Sequence, residues 1–477
     1  MTHTLDPDDW NAFRARAHKL LDDVIDHMET YREGSVWHSP DNAATTLSLA
    51  GGTGTGEAQT DAALKSLLPF GVGNTHPRFF GWVHGAGTPS GILADMVAAG
   101  MNANCGGRNH AAIRIERDLI AYCLSLFGFP DTGSGLITSG TSMATVVALK
   151  VARDKALGFA DRTTGLADSA HLVGYTSEGA HNCIARAFDI LGLGWNGLRK
   201  IPVDADRRMD ADALAATIAE DRANGLKPFL VCATAGTVNT GAIDDLELIG
   251  SIARENGLWF HIDAAFAAAL QFSPTHRDRL AGLSKADSLA FDFHKWMQVN
   301  YDAGCVLVRE EELHRRAFSD RPDYLSGTTR GLAAGNPWPV EYGPELSRGF
   351  RALKVWSQLL EHGPDKLGQI VDANIEQAGY LAQKVEQSVS LELLAYRGLN
   401  ICCFRYIGQG LDEAGLDALN EEIVIRLQEA GIAAPSTTRI GEKLAIRVNI
   451  TNHRTQLSDI DVLLDAVIGI GLGVNQI

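Results

Sequence analysis

The sequence predicts an α/β protein with a large, mostly parallel β-sheet and helices on both of its faces, followed by a smaller C-terminal α+β unit. Two observations carry this prediction. From about residue 135 to residue 265, short apolar runs alternate with helical patterns, which is typical of crossover units in a parallel sheet. Two strand-like runs, residues 391–408 and 443–453, have helices between and after them, which favours an antiparallel sheet. With 477 residues the chain is too long for one ordinary core, so several packed units are expected.

The N-terminal segment is predicted to be an amphipathic helix followed by a connector. Residues 6–33 place apolar side chains near helical spacing behind a group of Asp residues, where the helix dipole favours anions. Residues 45–59, "TTLSLAGGTGTGEAQ", are rich in Gly, Thr and Ser, which predicts a flexible connector. We therefore assign residues 1–70 to an N-terminal helical segment and its connector.

The predicted large domain covers residues 71–345, and the predicted C-terminal α+β domain covers residues 346–477. The strands of the large domain are "GLITSG", "HLVGYTS", "FLVCATAG" and "LWFHIDAA", and the first three run into helical patterns. In such a sheet, ligands bind at the carboxyl ends of the strands. The loops at those ends carry residues 139–142, 234–240 and 263–265, so we expect the functional site there.

The composition indicates a globular protein whose partners are small molecules. The formal net charge of −16 argues against a nucleic-acid-binding surface, which needs a basic excess. No apolar run is long enough for a membrane span, and the start shows no signal-peptide pattern, so we expect a cytoplasmic location and no membrane partner. The seven cysteines are scattered and match neither a disulfide framework nor a zinc site, so no metal is expected.

A lysine and an aspartate stand out because each follows apolar residues. "FDFHKWMQVNYDAG", residues 291–304, places Lys295 among apolar and aromatic residues. Burial lowers the pKa of a lysine, and the neutral amine can then form a Schiff base with a carbonyl. The alternative is a surface lysine whose stem lies along Trp296. Asp263 ends the apolar strand "WFHIDAAF", where a cationic ring nitrogen would compensate its charge; a helix N-cap or a salt bridge would do so too.

Two further motifs suit a bound anion and an aromatic ligand. In "ITSGTSMAT", residues 137–145, a strand end leads through Gly140 into a helix. The first N–H groups of that helix and the hydroxyls of Thr141 and Ser142 could hold a phosphate, although a plain N-cap explains the same residues. His181 precedes another helix and could stack on an aromatic cofactor, but a lone histidine is more often structural.

The order of "TSGTS", "EGAHNCIARAFDILGLG", "ATAGTVNTGAIDDL", "HIDAAF" and "FDFHKW" resembles the group II pyridoxal-phosphate-dependent amino acid decarboxylases. This is the family of the aromatic-L-amino-acid, histidine and glutamate enzymes. The resemblance extends from "THPRFFGW" near residue 75 through "RGFRALKVW" to "RVNITNHRT". It implies the type I fold of PLP-dependent transferases and pyridoxal 5'-phosphate (PLP) as the cofactor. It also implies a homodimer with its sites at the subunit interface.

The resemblance implies a role for each matching residue. Lys295 would hold PLP covalently, Asp263 would pair with its pyridinium, and Ala265 would lie beneath the ring. His181 would stack on the exposed face of the ring and take part in catalysis. The remaining cofactor positions would lie around the phosphate and the cleft: Gly140, Thr141, Ser142, Thr234, Asp292 and His294.

Three features differ from the family pattern. Asp292 stands where relatives often have Asn or Ser near the phosphate, so this second anion needs a partner or a proton. Val238 replaces a threonine of the relatives. Aromatic relatives return the proton to the substrate carbon from a tyrosine of the loop that corresponds to residues 324–348. Tyr342 is the catalytic candidate here, because the tryptophan and proline before it cannot donate a proton. The loop is rich in Gly, so we expect a mobile lid over the neighbouring subunit's site.

The implied reaction is α-decarboxylation of an L-amino acid to the amine and carbon dioxide. Oxidative deamination to an aldehyde, as in some relatives, is the alternative. A non-enzymatic binding or scaffold protein would be expected to lack Lys295 or Asp263, and both are present.

Two segments point to different substrates. One matches the aromatic substrate wall of the family and favours a ring: Phe79, Phe80 and Trp82. The other would suit an acidic side chain, which a guanidinium binds bidentately: Arg108, Asn109 and His110. Arg108 could instead form a salt bridge across the dimer.

Overall fold

The computed structural model describes residues 4–42, 54–166, 171–319 and 328–474. In these ranges the chain forms a seven-stranded sheet and a four-stranded sheet, each with packed helices, which confirms the predicted fold class. The large sheet lies within the predicted large domain, and the small sheet lies within the predicted C-terminal domain.

The large sheet is mostly parallel. Its strands are β1 (Ser134–Thr138), β2 (Leu172–Ser177), β3 (Leu198–Ile201), β4 (Lys227–Thr234), β5 (Trp259–Asp263), β6 (Ser288–Asp292) and β7 (Gly304–Val308). Their order across the sheet is β1-β7-β6-β5-β4-β2-β3. Only β7 is antiparallel to its neighbours, β1 and β6. The four strands predicted from the sequence are β1, β2, β4 and β5.

Helices enclose this sheet and continue into the C-terminal domain. The helices in the described residues are α1 (Trp10–Glu29), α2 (Glu57–Leu67), α3 (Pro89–Met101), α4 (Ala111–Leu126), α5 (Thr141–Ala156), α6 (Asp161–Thr164), α7 (Cys183–Ile190), α8 (Ala211–Ala223), α9 (Leu246–Glu255), α10 (Glu311–Phe318), α11 (Arg351–Gln387), α12 (Glu413–Glu429) and α13 (Leu457–Val474). One apolar core contains α5, α7 and α10, and the core on the opposite face contains α4, α8 and α9. Every residue of β2, β5, β6 and β7 is therefore buried, as expected for strands covered on both faces.

The N-terminal segment differs in part from the prediction. The predicted first helix is α1, whose N-cap Asp9 accepts hydrogen bonds from two backbone N–H groups. The predicted connector is shorter than expected, because α2 begins at Glu57, inside it. The sequence "EAQTDAALKSL" is rich in strong helix formers, and these outweigh the preceding Gly and Thr residues. Residues 45–53 of the connector lie outside the described ranges.

The C-terminal domain contains an antiparallel sheet in the order β10-β11-β9-β8. The first predicted run is a hairpin of β8 (Leu391–Tyr396) and β9 (Ile401–Tyr406) around Gly398, whose φ is +67°. The second predicted run contains β11 (Lys443–Asn449), and β10 (Ser436–Ile440) was not apparent from the sequence. Its inward residues Ser436 and Thr438 are polar like its outward ones, so it lacks an apolar alternation.

No helix in the parts of the chain that the structure describes is long and apolar enough to cross a membrane.

Candidate active site

A cleft lies at the carboxyl ends of the central strands. Thr234, Asp263 and Asp292 end the adjacent strands β4, β5 and β6, so the sheet itself brings these three side chains to one edge. The cavity has a volume of about 400 Å³. Its walls contain ten of the eleven catalytic and cofactor residues predicted from the sequence: Gly140, Thr141, Ser142, His181, Thr234, Asp263, Ala265, Asp292, His294 and Lys295.

Lys295 follows β6 and is largely buried, with 22% of its side chain exposed. Its Nζ lies 2.8 Å from Oδ2 of Asp292. Burial lowers the pKa of Lys295, but the carboxylates of Asp292 and Asp263 raise it more, and the net pKa lies above its usual value. The sequence argument from burial alone gave the opposite direction, so it was wrong on this point. The reason is the carboxylate three residues earlier, which a strand end and a tight turn bring against the amine.

Asp263 is a buried carboxylate that faces the cleft. It accepts hydrogen bonds from the backbone N–H of Ala265 at 3.0 Å and from the thiol of Cys183 at 3.5 Å. Burial raises its pKa, while Lys295, the Ala265 N–H group and His181 act in the opposite direction. It has no ion-pair partner within the described ranges. A protonated ring nitrogen would compensate this charge, so the position fits the pyridinium of PLP.

The beginning of α5 offers unpaired groups that suit a phosphate. The hydroxyls of Thr141 and Thr234 are buried and have no hydrogen-bond partner among the described residues. Such groups cost free energy unless a ligand or water satisfies them. Gly304 of β7 must lack a side chain, because a Cβ there would lie 2.4 Å from Cα of Gly140. The close packing of these two glycines fixes the loop between β1 and α5, and the Thr141 hydroxyl at the start of α5 fits the phosphate of PLP, whereas the Thr234 hydroxyl at the end of β4 lines the same cleft beside Asp263.

Two histidines line the cleft, and burial lowers the pKa of both. Nδ1 of His181 accepts a hydrogen bond from the backbone N–H of Cys183 at 3.2 Å, so the proton of the neutral ring is on Nε2. Nδ1 of His294 lies 3.1 Å from the backbone nitrogen and 3.0 Å from the carbonyl oxygen of Ala303, and the centroid of its ring lies 4.3 Å from that of Tyr301. Both rings are therefore held in place, and the contacts assign the proton position for His181.

Sequence reasoning missed Arg447. This residue of β11 is only 2% exposed, and it donates to the backbone carbonyls of Trp82 and Val238, both at 2.8 Å. Trp82 and Val238 line the cleft. Burial lowers the pKa of Arg447 to about 10, its Nη2 has no partner, and no carboxylate pairs with it in the described part of the chain. The signal in the sequence is a single arginine within the apolar run "KLAIRVNI".

Tyr342 is the predicted site residue that lies elsewhere. Its hydroxyl donates to Glu311 of α10 at 2.5 Å, and its ring packs on His314. It does not line the cleft of its own chain, so its role as a proton donor to a partner's site stays a prediction.

The expected mobile lid needs a correction between residues 338 and 348. Trp338 is 2% exposed there, and buried Arg348 pairs with Glu116 at 2.7 Å. Residues 320–327 of the loop lie outside the described ranges.

Of the two segments predicted to contact the substrate, one reaches the cleft and the other lies outside it. Trp82 lines the cleft with half of its surface exposed (51%), whereas Phe80 is fully buried in the C-terminal core. The guanidinium of Arg108 lies 4.9 Å from the ring centroid of Trp338, outside the cleft of its own chain. The structure therefore brings the aromatic side chain of Trp82 to the cleft and packs Arg108, just before α4, against the ring of Trp338.

Comparisons with known proteins agree with this geometry. Residues 55–407 match the model of the pyridoxal-dependent decarboxylase conserved domain. The chain is 32% identical to the aromatic-L-amino-acid decarboxylase of Bacillus atrophaeus, over 93% of this chain and 92% of that protein. It is 27% identical to a phenylacetaldehyde synthase of Arabidopsis thaliana, over 94% and 93% of the two chains. The crystal structure of Oryza sativa TDC with PLP and tryptamine has the same fold, with a TM-score of 0.89 and 23% identity over 99% of this chain and 100% of that chain.

Proposed function

Because the chain belongs to the pyridoxal-dependent decarboxylase family, we propose that the substrate of this PLP-dependent amino acid decarboxylase is an aromatic L-amino acid. The enzyme removes the α-carboxyl group and produces the amine and carbon dioxide. Bound PLP supplies the electron sink for the bond that breaks at Cα. The observation that carries the substrate proposal is the half-exposed indole of Trp82 in the wall of the cleft.

Each residue of the cleft would have a separate role. Lys295 would hold the cofactor through its ε-amine, and Asp263 would keep the ring nitrogen protonated. The hydroxyl of Thr141 and the first turn of α5 would hold the phosphate, and Thr234 would line the cleft beside Asp263. His181, fixed as a neutral Nε2 donor by the Cys183 N–H group, would cover the ring and exclude water from that side.

Arg447 would bind the carboxylate of the incoming amino acid. A buried guanidinium without an anionic partner favours a ligand that brings one, and this guanidinium donates to the backbone of two wall residues, Trp82 and Val238, with Nη2 left unpaired. Apart from Lys295, no lysine or arginine directly lines the cleft in the described ranges. An acidic side chain would therefore compete with the α-carboxylate for the same cation, whereas an aromatic side chain would pack on Trp82.

Release of carbon dioxide from the twenty amino acids, DOPA and 2,4-diaminobutyrate tests this proposal. We expect the highest kcat/KM with aromatic substrates, and a higher value for glutamate or 2,4-diaminobutyrate contradicts it. Arg447→Lys should lower kcat/KM roughly 10- to 100-fold, since hydrogen bonds to charged groups contribute about 1.5–3 kcal/mol. Arg405→Lys is the matched control. Arg405 is also buried, but it lies on β9 and pairs with Glu392 and Glu413 away from the cleft.

A second product is favoured by one structural observation and one relative. Tyr342 is held on Glu311, and a phenylacetaldehyde synthase is among the similar proteins. If reprotonation at Cα were slow, dioxygen could take two electrons from the decarboxylated substrate and be reduced to hydrogen peroxide, and hydrolysis would then give the aldehyde and ammonia. Measuring amine and peroxide in the same reactions separates the two outcomes.

We also propose that the enzyme is a homodimer. α3 exposes four large apolar side chains on its surface, each 46–54% exposed: Leu93, Met96, Val97 and Met101. An apolar face of this kind is typical of a subunit interface. A cytoplasmic location remains part of the proposal, and it is supported by the seven free, buried thiols.

The dimer is tested by light scattering coupled to gel filtration. We expect wild type at twice the chain mass of 51.2 kDa, and Val97→Glu should elute at the chain mass because it places a charge in the apolar face. Val389→Glu is the control, since Val389 is 98% exposed on a turn far from α3 in sequence. Wild type at a single chain mass contradicts the proposal.

A further inference from the structure

Asp292 makes two contacts with groups that the cofactor needs. Its Oδ2 lies 2.8 Å from Nζ of Lys295, the amine that would hold PLP. Its Oδ1 accepts a hydrogen bond at 2.6 Å from the backbone N–H of Thr141, at the start of α5. The second group is one of the N–H donors at this helix start that suit a phosphate. One carboxylate thus engages both the covalent anchor and a donor of the phosphate cradle.

The surroundings keep this carboxylate in place. Asp292 is 2% exposed and ends β6 beside β7. Its Oδ1 packs on backbone, since a Cβ on Gly304 would lie 2.7 Å from it and a Cβ on Gly140 would lie 3.5 Å from it. The Thr141 N–H group and the Lys295 amine hold the two oxygens of Asp292 in this position. A phosphate that binds at the start of α5 therefore lies close to this carboxylate.

We propose that Asp292 couples loading of the cofactor to the uptake of one proton, which the bound state shares between the Asp292 carboxyl group and the phosphate. The inference rests on the assignment of PLP to this cleft. Two anions that compete for the same donors cannot both stay ionised in a buried site at low cost, and sharing a proton removes the repulsion.

Attachment of the cofactor would not add a cation beside Asp292. The ammonium of Lys295 would transfer two protons to the carbonyl oxygen of PLP, which would leave as water as the C–O bonds break and the bonds to nitrogen form. The nitrogen would keep one proton and the positive charge, so the covalent step itself takes up no proton. The carboxylate, which already lies 2.8 Å from this nitrogen, would gain the phosphate as a second anion nearby.

None of the other titratable groups near Asp292 is a protonated cation that could give this proton to it at neutral pH. These groups are His181, Asp263, His294, Tyr301 and Cys305. Burial lowers the pKa of both histidines and raises those of the tyrosine and the thiol, so all four are neutral. Asp263 is the one other anion, and the ring nitrogen would engage it. The proton therefore comes from solvent, and loading weakens as the pH rises.

The test is calorimetric titration of PLP into cofactor-free full-length protein, in buffers with different ionisation enthalpies, between roughly pH 7 and 9, where a free carboxyl group is ionised. We expect wild type to take up about one proton more per bound cofactor than Asp292→Asn. The Kd of wild type for PLP should therefore increase with pH more steeply than the Kd of Asp292→Asn, by about a factor of ten for each pH unit. Asparagine keeps the shape and the acceptor for Thr141 but cannot bind a proton.

Two controls locate the proton. Asp287→Asn changes another partly buried carboxylate that accepts a backbone N–H, from Phe260 at 2.8 Å, at the opposite end of the sheet, and it should bind like wild type. His294→Gln should retain the uptake; loss of the uptake there places the proton on the imidazole and overturns the inference. If wild type and Asp292→Asn take up the same number of protons, the inference about Asp292 is wrong but the cofactor assignment stands. If wild type does not bind PLP, the cofactor assignment is wrong as well.

Discussion

Lys295→Ala lowers amine formation by roughly a thousandfold or more, the scale expected for losing a nucleophile that holds the reacting group. The amine of Lys295 lies in the cleft between Asp292 and Asp263, so no other lysine in the described ranges can replace it there. Borohydride reduction of wild type, followed by peptide mapping, should place the cofactor on the peptide that contains Lys295. The variant should carry no reduced adduct.

Lys285→Ala is the matched control for this result. Lys285 lies in the same domain and pairs with Glu247 at 3.0 Å on the surface, away from the cleft. Its removal should leave both the adduct and the activity unchanged. An adduct on any lysine other than Lys295 in wild type would falsify the assignment, whatever the activity of the variants.

Asp263→Asn gives the second large effect. The variant should still bind PLP, because Lys295 and the phosphate cradle are intact, but kcat should fall roughly 100- to 1,000-fold, about 3–4 kcal/mol. The physical reason is that an amide no longer holds the ring nitrogen protonated, so the electron sink weakens. The asparagine oxygen can still accept from the Ala265 N–H group, which keeps the local fold.

The measurements that check this are kcat and cofactor content of the same preparation. Asp287→Asn again serves as the isosteric control, since its carboxylate is at the opposite end of the sheet. If Asp263→Asn retained kcat within about threefold of wild type with full cofactor, the carboxylate would have no electrostatic role. Loss of PLP from the variant would instead show that Asp263 acts in binding.

Local sequence patterns predicted much of the fold. β1, β2, β4 and β5 are apolar runs long enough to recognise, and the adjacent Gly363 and Pro364 mark a kink inside α11. Such signals are local, because backbone propensity and apolar spacing act over a few residues. β10 has outward polar residues and no apolar alternation, and it exists because β11 pairs with it.

The sequence by itself determined the chemistry of the cleft, because each motif follows a strand and parallel strands bring their carboxyl ends together. Lys295, Asp263, His181 and the start of α5 meet for that reason. Only the tertiary structure decided the environment of these groups. It paired Lys295 with Asp292, which reversed the expected pKa shift, and it brought Arg447 from the C-terminal domain against the backbone of the wall residues Trp82 and Val238. The first contact depends on the exact geometry of the turn after β6 and the second on how distant segments pack, because burial and charge act through space rather than along the chain.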